Sequence, residues 1–249
     1  QQAAGPAQPA VEVPIARLRY IYPKPEESGE GASYAGRATL SGAFARGDTH
    51  SDRLYAEGDF TARAMDWRYA LTGKLLQERD LDGTTASNWS LSGNHDRFID
   101  DEDKSFVYLR ASAEHDRFND VTSRLALGAG YGRQLLQSER TTISVRGGLE
   151  AITLRRADGR RDSSPALGWG LNVSPRVGLL SAELFHDQRG YHSLDDTSML
   201  TLRSRTGLRM PLASGLTASL QVNLDRDGEH VPGHSVTDTT WLIGLGYAW

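Results

Sequence analysis

Three groupings in this chain have residue types and spacings that could do chemistry. The first is a set of His–Ser neighbours: His50–Ser51, His192–Ser193 and His234–Ser235. A lipid hydrolase needs a Ser whose hydroxyl reaches a His acting as base. Neighbours on a strand point to opposite faces, and no His-x-Ser occurs in the sequence. The pairs could work only in loops, so no residue is assigned a catalytic role. The second grouping is Asp80-Leu-Asp82-Gly83 and Asp225-Arg-Asp227-Gly228. Both echo the opening of a calcium loop, yet neither has its full spacing or its closing Glu. Asp-Gly is also an ordinary turn pair. No metal ligand and no cofactor is assigned, although divalent ions could bridge such loops to lipopolysaccharide.

The third grouping is the largest. Charged residues recur at even spacings, on one face of each segment: Arg37, Arg53, Glu57, Asp59, Arg68, Lys74, Arg110, Glu114, Arg124, Arg146, Glu150, Glu183, Arg203, Arg205 and Arg209. Rows of both signs on an enclosed surface could line a water-filled pore and tune its ion preference. They could equally pair across the enclosure and plug it. Both readings stay open from sequence.

The even spacing dictates the elements that must carry these residues. Tyr34, Gly36, Ala38, Leu40, Gly42 and Phe44 alternate with Arg37, Thr39 and Ser41. A period of two is a strand with one apolar and one polar face. Twelve such runs follow: 33–45, 51–63, 67–78, 87–98, 105–116, 122–135, 141–154, 164–174, 178–187, 197–210, 215–225 and 237–249. Each is about 10–14 residues, against a mode near 5–6 for globular strands and about 9–11 for membrane-spanning ones. The gaps 64–66, 99–104, 136–140, 175–177 and 211–214 are mostly short. Those at 79–86, 155–163, 188–196 and 226–236 are longer, with 46–50 and 117–121 as short exceptions. Short turns at one end and longer loops at the other is the outer-membrane barrel pattern, and an even strand number puts both termini at the periplasmic end.

Charge decides which face meets lipid. A Lys or Arg facing lipid at the midplane costs about 2–4 kcal/mol. The polar members of the apolar face are His95, Arg97, His115, Arg133 and His186, all expected near the ends of their runs. The charged face therefore turns inward, the reverse of a soluble barrel. Aromatic residues on the apolar face suit membrane interfaces. Tyr34, Trp67, Tyr69, Tyr247 and Trp249 are expected in a girdle at the periplasmic side, and Phe44, Trp89, Trp169 and Trp241 in one at the outer side. Inward glycines (Gly128, Gly130, Gly132; Gly168, Gly170; Gly244, Gly246) would make room for long Arg side chains from adjacent strands or for a docked leader peptide.

Composition agrees. The 249 residues carry 28 Lys+Arg against 32 Asp+Glu, so no basic excess points to nucleic acid. Mean hydropathy is −0.49, and no stretch approaches the roughly 18 apolar residues of a spanning helix, which leaves spanning strands untouched. With 0 Cys, disulfides and thiolate metal sites are excluded. Residues 1–32, opening QQAAGPAQPAVEVP, read as a flexible periplasmic leader that begins where a signal peptide was removed. Residues 33–249 read as the barrel.

Three pieces carry a resemblance: LSGAFARGDTHSDRLYAEGDF (40–60), EHDRFNDVTSRLALGAGYGRQLLQSERTTISVRGGLE (114–150) and DTTWLIGLGYAW (238–249). In that order and spacing, residues 33–249 resemble the salt-induced outer-membrane protein family (YdiY-like), whose function is uncharacterised. The resemblance implies an outer-membrane barrel and supplies no catalytic residues. The leader and the acidic turn Asp100–Asp103 fall outside it. The final amphipathic strand, closing on an aromatic residue, looks like the assembly signal of such barrels.

The reading from sequence is thus an all-β protein, a transmembrane antiparallel up-and-down β-barrel of 12 strands in a Gram-negative outer membrane. Its expected function is a porin-like narrow channel for small polar solutes or ions. The alternative is a non-conducting structural barrel that binds an envelope protein partner through its leader or loops. A lipid hydrolase is the lesser third. Expected partners are outer-membrane lipids, lipopolysaccharide, and the barrel-assembly machinery through the C-terminal strand.

Overall fold

A computed structural model describes residue 29 and residues 31–45, 51–80, 83–100, 104–117, 121–138, 140–177, 182–195, 200–227 and 237–249. The leader assignment at 1–28 lies outside them, as do His50–Ser51 apart from the backbone of Ser51, and His234–Ser235.

Twelve strands form a closed barrel: β1 (Ser33–Ala45), β2 (Ser51–Arg63), β3 (Trp67–Asp80), β4 (Gly83–Phe98), β5 (Ser105–Asp116), β6 (Val121–Gln137), β7 (Thr141–Arg156), β8 (Arg161–Val177), β9 (Ala182–Ser193), β10 (Leu200–Ala213), β11 (Leu216–Asp227) and β12 (Thr237–Ala248). Each strand pairs with the next, and β12 returns to β1. Antiparallel pairing around a full circle leaves no unpaired edge, the only way a sheet can satisfy its backbone inside hydrocarbon. The closing seam is short. It runs from Arg37↔Ala248 to Ser41↔Gly244, and Gly36 and Trp249 exchange both backbone hydrogen bonds at 3.0 Å. That exchange also places the start of β1 and the end of β12 at the same end of the barrel. At this end β10 turns into β11 through Ser214 (φ 47°) and Gly215 (φ 84°), a pair of left-handed residues that matches the twist of the flanking strands.

Alternation divides outside from inside. Along β12, Trp241, Ile243, Leu245, Tyr247 and Trp249 are exposed, Ile243 by 74%, whereas Leu242 and the inward glycines are buried. Around the circumference Leu40, Leu71, Leu91, Leu109, Leu127, Leu149, Leu167 and Leu220 are exposed in the same way. Arg110, Arg124, Arg205, Arg209, Glu57, Asp96 and Glu150 are buried. Apolar outside and charged inside is the polarity of a barrel whose solvent is hydrocarbon.

The strands are longer than expected at several ends. β3 and β4 extend to Asp80 and from Gly83, so the gap expected at 79–86 shrinks to 81–82. β7 and β8 likewise reduce 155–163 to 157–160. The expected contrast between long loops and short turns is correspondingly weaker. Ladder hydrogen bonds continue into polar sequence because an antiparallel pair needs backbone partners, not apolar side chains. The ninth strand, described from Ala182, runs past its expected end at 187 to Ser193. His186 therefore sits inside its strand rather than near the outer end, where its Nδ1 lies 2.7 Å from the Thr206 hydroxyl on the neighbouring strand.

Candidate functional site

The inward residues of all twelve strands face one another across the lumen, and their charges pair. The principal assembly surrounds Arg205 of β10. Its guanidinium contacts Glu57, lies 3.2 Å from both Asp59 oxygens and donates to Asp187 at 2.8 Å. Asp187 is on the adjacent β9, but Glu57 and Asp59 are on β2, which β10 does not pair with. Arg205 is therefore a crossbar. A second layer fixes its carboxylates. The Tyr55 hydroxyl donates to Glu57 at 2.6 Å, and Gln221 donates to Glu57 at 3.2 Å. Asn223 donates to the Tyr55 oxygen at 3.3 Å, Thr72 to Asp59 at 3.0 Å and Asn172 to Asp187 at 2.6 Å. Lys74 stands within electrostatic reach of Glu57 and Asp225.

Further bridges cross or skirt the lumen. Arg37 meets Glu183 at 3.4 Å, and Arg209 meets the same carboxylate at 3.3 Å. Arg203 of β10 reaches Glu114 of β5 at 3.6 Å, and Arg124 shares that carboxylate at 3.2 Å. Arg189 of β9 donates to the Ser92 hydroxyl of β4 at 2.5 Å. Arg53 pairs with its neighbour Glu78 at 2.7 Å.

A different arrangement lies toward the termini-bearing end. Asp96, 0% exposed, accepts from Arg68 at 2.6 Å and from Arg146 at 3.1 Å. Three rings stand beside them. Arg63 lies 3.6 Å over the Phe98 ring, Arg146 lies 5.3 Å from Phe106 and 5.2 Å from Tyr108, and Arg110 contacts Glu150. Rings carry negative faces, so they favour the guanidiniums that a single carboxylate cannot neutralise.

The glycines explain how these side chains fit. A Cβ on Gly132 would strike the Phe106 ring. One on Gly128 or Gly168 would strike Glu150, and one on Gly170 would strike Arg146. On Gly130 or Gly148 it would strike the opposite backbone at Gly147–Gly148 or Ala129–Gly130. The inner wall of β6–β8 is stripped so that neighbouring side chains lie flat on it. The occupants include a Glu and two rings as well as an Arg. At the seam, a Cβ on Gly244 or Gly246 would meet Thr39 and Ser41, or the Thr39 and Thr217 hydroxyls.

Of the fifteen charged residues expected to face inward, fourteen form ion pairs, and Lys74 stands within electrostatic reach of Glu57 and Asp225. The spacing argument did not single out Asp96, Asp187, Arg189, Tyr55, Tyr108, Gln221 or Asn223. The signal was available in parity: Asp96 lies between His95 and Arg97, whose outward placement was noticed. Among the girdle residues, Tyr34, Tyr69, Trp89, Trp241, Tyr247 and Trp249 are exposed on the outer face. Near the termini, Tyr34 stacks with Phe60 at 6.3 Å, Trp67 meets Tyr69 at 5.1 Å and Tyr247 meets Trp249 at 6.3 Å. Trp169 differs from expectation. It sits at the middle of the 17-residue β8, against Gly190, because that strand starts at Arg161. The Phe44 side chain lies outside the described residues. Of the His–Ser pairs, His192–Ser193 is described. Ser193 is buried and accepts the backbone N–H of Asp195 at 3.3 Å. No group of three or more His, Cys, Asp or Glu able to hold a metal occurs among the described residues.

A family model described as "Protein of unknown function, DUF481" matches residues 38–249. No functionally curated protein matches the sequence. Among solved structures, the chain is similar to the NanC porin at a TM-score of 0.51 and 9% identity, covering 86% of this chain and 99% of that one. It is also similar to the COG4313 outer membrane channel from Pseudomonas putida F1, with TM-score 0.48, 10% identity, and 92% and 99% coverage. The translocator domain of the autotransporter NalP from Neisseria meningitidis gives 0.46, 14%, and 90% of each chain. The likeness to the first is one of fold.

Proposed function

The chain belongs to the DUF481 family, and from that premise we propose that it is a narrow channel of the Gram-negative outer membrane for small polar solutes or ions. The observation that carries this reading is the enclosed wall of paired charges on all sides, surrounded by an apolar exterior. A lumen meant only to be filled could be packed with apolar side chains at lower desolvation cost. The Arg205 crossbar and the Arg203–Glu114 bridge narrow the path, so the conduit passes small solutes. The pore-lining set is the fifteen inward charges, and the girdles hold the barrel at the two interfaces. Both termini are periplasmic in this reading. Residues 1–32 form a leader on that side, and the alternating C-terminal strand addresses the barrel-assembly machinery.

Planar-bilayer recording tests the proposal. Purified protein is expected to give small discrete current steps of weak ion preference, and silence over many insertions would overturn it. The same crossbars favour one second reading, a closed structural barrel that meets an envelope partner through its leader or loops. Silence in both the natural chain and an Arg205→Ala variant would establish that reading instead.

A further inference from the structure

Near the termini-bearing end three guanidiniums, Arg68, Arg110 and Arg146, meet two carboxylates, Asp96 and Glu150, among the described residues. Two donors here, the Tyr108 hydroxyl and Arg110 Nη1, have no hydrogen-bond partner among the described residues, and neither do two acceptors beside Arg110, Asn94 Oδ1 and Glu150 Oε1. Tyr108 and Arg110 are only 2% and 6% exposed. Buried polar atoms are normally satisfied, and the surplus that remains here is one of positive charge, three guanidiniums on two carboxylates, with the Tyr108 hydroxyl beside them.

The donors are close together. Register places Tyr108 beside Gly130 and Gly130 beside Gly148, so the Tyr108 ring reaches across bare wall and its hydroxyl ends near Gly148. Gly148 lies between the inward residues Arg146 and Glu150 on β7. Arg146, Arg110 and Tyr108 are within electrostatic reach of one another, and Arg189 extends the positive surface beyond Arg110. The bare glycine row keeps this wall free of Cβ atoms. Phe106 and Tyr108 supply faces against which guanidiniums stay ordered while their N–H edges remain available.

We infer that Arg68, Arg110, Arg146 and Tyr108 form a binding site for a small oxyanion, the phosphate or carboxylate group of a solute in the lumen. Guanidinium forks match such groups in charge and geometry. Asp96 acts as the resident acceptor that the solute displaces in part, which keeps the site from holding an anion too tightly to release it. The inference rests on the channel reading, since the solute must enter the lumen.

Thermal unfolding of the full chain in detergent micelles, with inorganic phosphate against chloride at equal ionic strength, tests the site without current. Phosphate is expected to raise the midpoint saturably. Arg146→Gln should weaken the apparent affinity at least tenfold, Tyr108→Phe severalfold, and Asp96→Asn should strengthen it. Tyr108→Phe breaks no hydrogen bond made among the described residues, so it decides the matter if the charge variants do not fold. No saturable effect, or the same effect in the natural chain and in Tyr108→Phe, would overturn the site. Recordings separate this from the channel reading. Current with no phosphate effect in either assay refutes the site alone, and saturable phosphate binding without current refutes conduction and retains the site.

Discussion

Two stretches of the lumen wall meet the same demand, a charged interior of limited width, in opposite ways. On β6–β8 the wall is bare, and Phe106, Tyr108, Arg146 and Glu150 lie along it over glycines. On the side of β1, β2 and β9–β11 the wall keeps its side chains, which reach across to strands they do not pair with, Arg205 to Glu57 and Arg37 to Glu183. The first stretch widens the passage by removing atoms. The second narrows it by fixing charges in space. The two balance in a barrel of twelve strands, a number between barrels that side chains fill and barrels that stay open.

The comparison breaks most completely at the glycine wall. Gly130→Val would drive its branched side chain into the backbone of Gly147 and Gly148, which cannot yield without opening the β6–β7 ladder. Loss of the folded species is expected, read as loss of the heat-modifiable shift on a gel. Gly73→Ala, whose Cβ would meet only Leu91 at 3.8 Å on the lipid-facing side, should fold normally. Equal folding of both variants would refute the distinction between bare and furnished wall.

The crossbar comes next. Arg205→Ala leaves Glu57, Asp59 and Asp187 without their shared cation. Breaking a buried charge set from one side costs about 3–5 kcal/mol. Urea unfolding in micelles should register a loss of that order, and single-channel steps should grow because the bar is gone. A stable variant with unchanged steps would mean that the bar neither braces nor narrows the lumen. Removing a brace of the bar is gentler. Tyr55→Phe deletes the 2.6 Å bond to Glu57 and the one from Asn223, a change worth about 1 kcal/mol. It should shift the urea midpoint while leaving the step size nearly unaltered.

The smallest effect lies outside the membrane, in the turn between β4 and β5. Asp100 accepts the backbone N–H of Lys104 at 2.7 Å and of Ser105 at 2.8 Å. Desolvation pushes its carboxyl up, but the Ser105 hydroxyl, these two amides and nearby Arg133 together hold it below its ordinary value. A depressed carboxyl contributes order above its unfolded pKa of about 3.9, and that order is lost as pH falls through the lower folded value. Amide exchange at Lys104 and Ser105 should therefore speed up in acid below about pH 4. In Asp100→Asn that acid step should vanish. An acid step that survives the substitution would assign it to another group.

Much of this barrel was legible in its residues. Arg53, Glu57 and Asp59 share a face with Tyr55 because strand side chains alternate, and alternation is read from neighbours alone. The same local rule placed Leu54, Phe60 and the other apolar residues outward. Where polar sequence adjoins a strand, as at 79–86 and 161–163, the apolar pattern fades before the backbone pairing does, and β9 continues past 187 for the same reason. The glycine wall was visible as a stripe, but its tenants were not, since Gly168 is covered by a Glu from another strand.

The sequence by itself determined the strand period, the number of strands and the face on which each charge would fall, because all three are properties of neighbouring residues along one chain. Only the tertiary structure decided that Arg205 meets Glu57 and Asp59 across the lumen as well as Asp187 beside it, that Asp96 serves two arginines, and that Tyr108 reaches Gly148. Apart from Arg68 with Asp96, which are opposite each other on the paired β3 and β4, those partnerships include contacts between strands that never pair. They depend on how far each strand slides past the next before the circle closes, a quantity that accumulates over all twelve pairings and that no local pattern records.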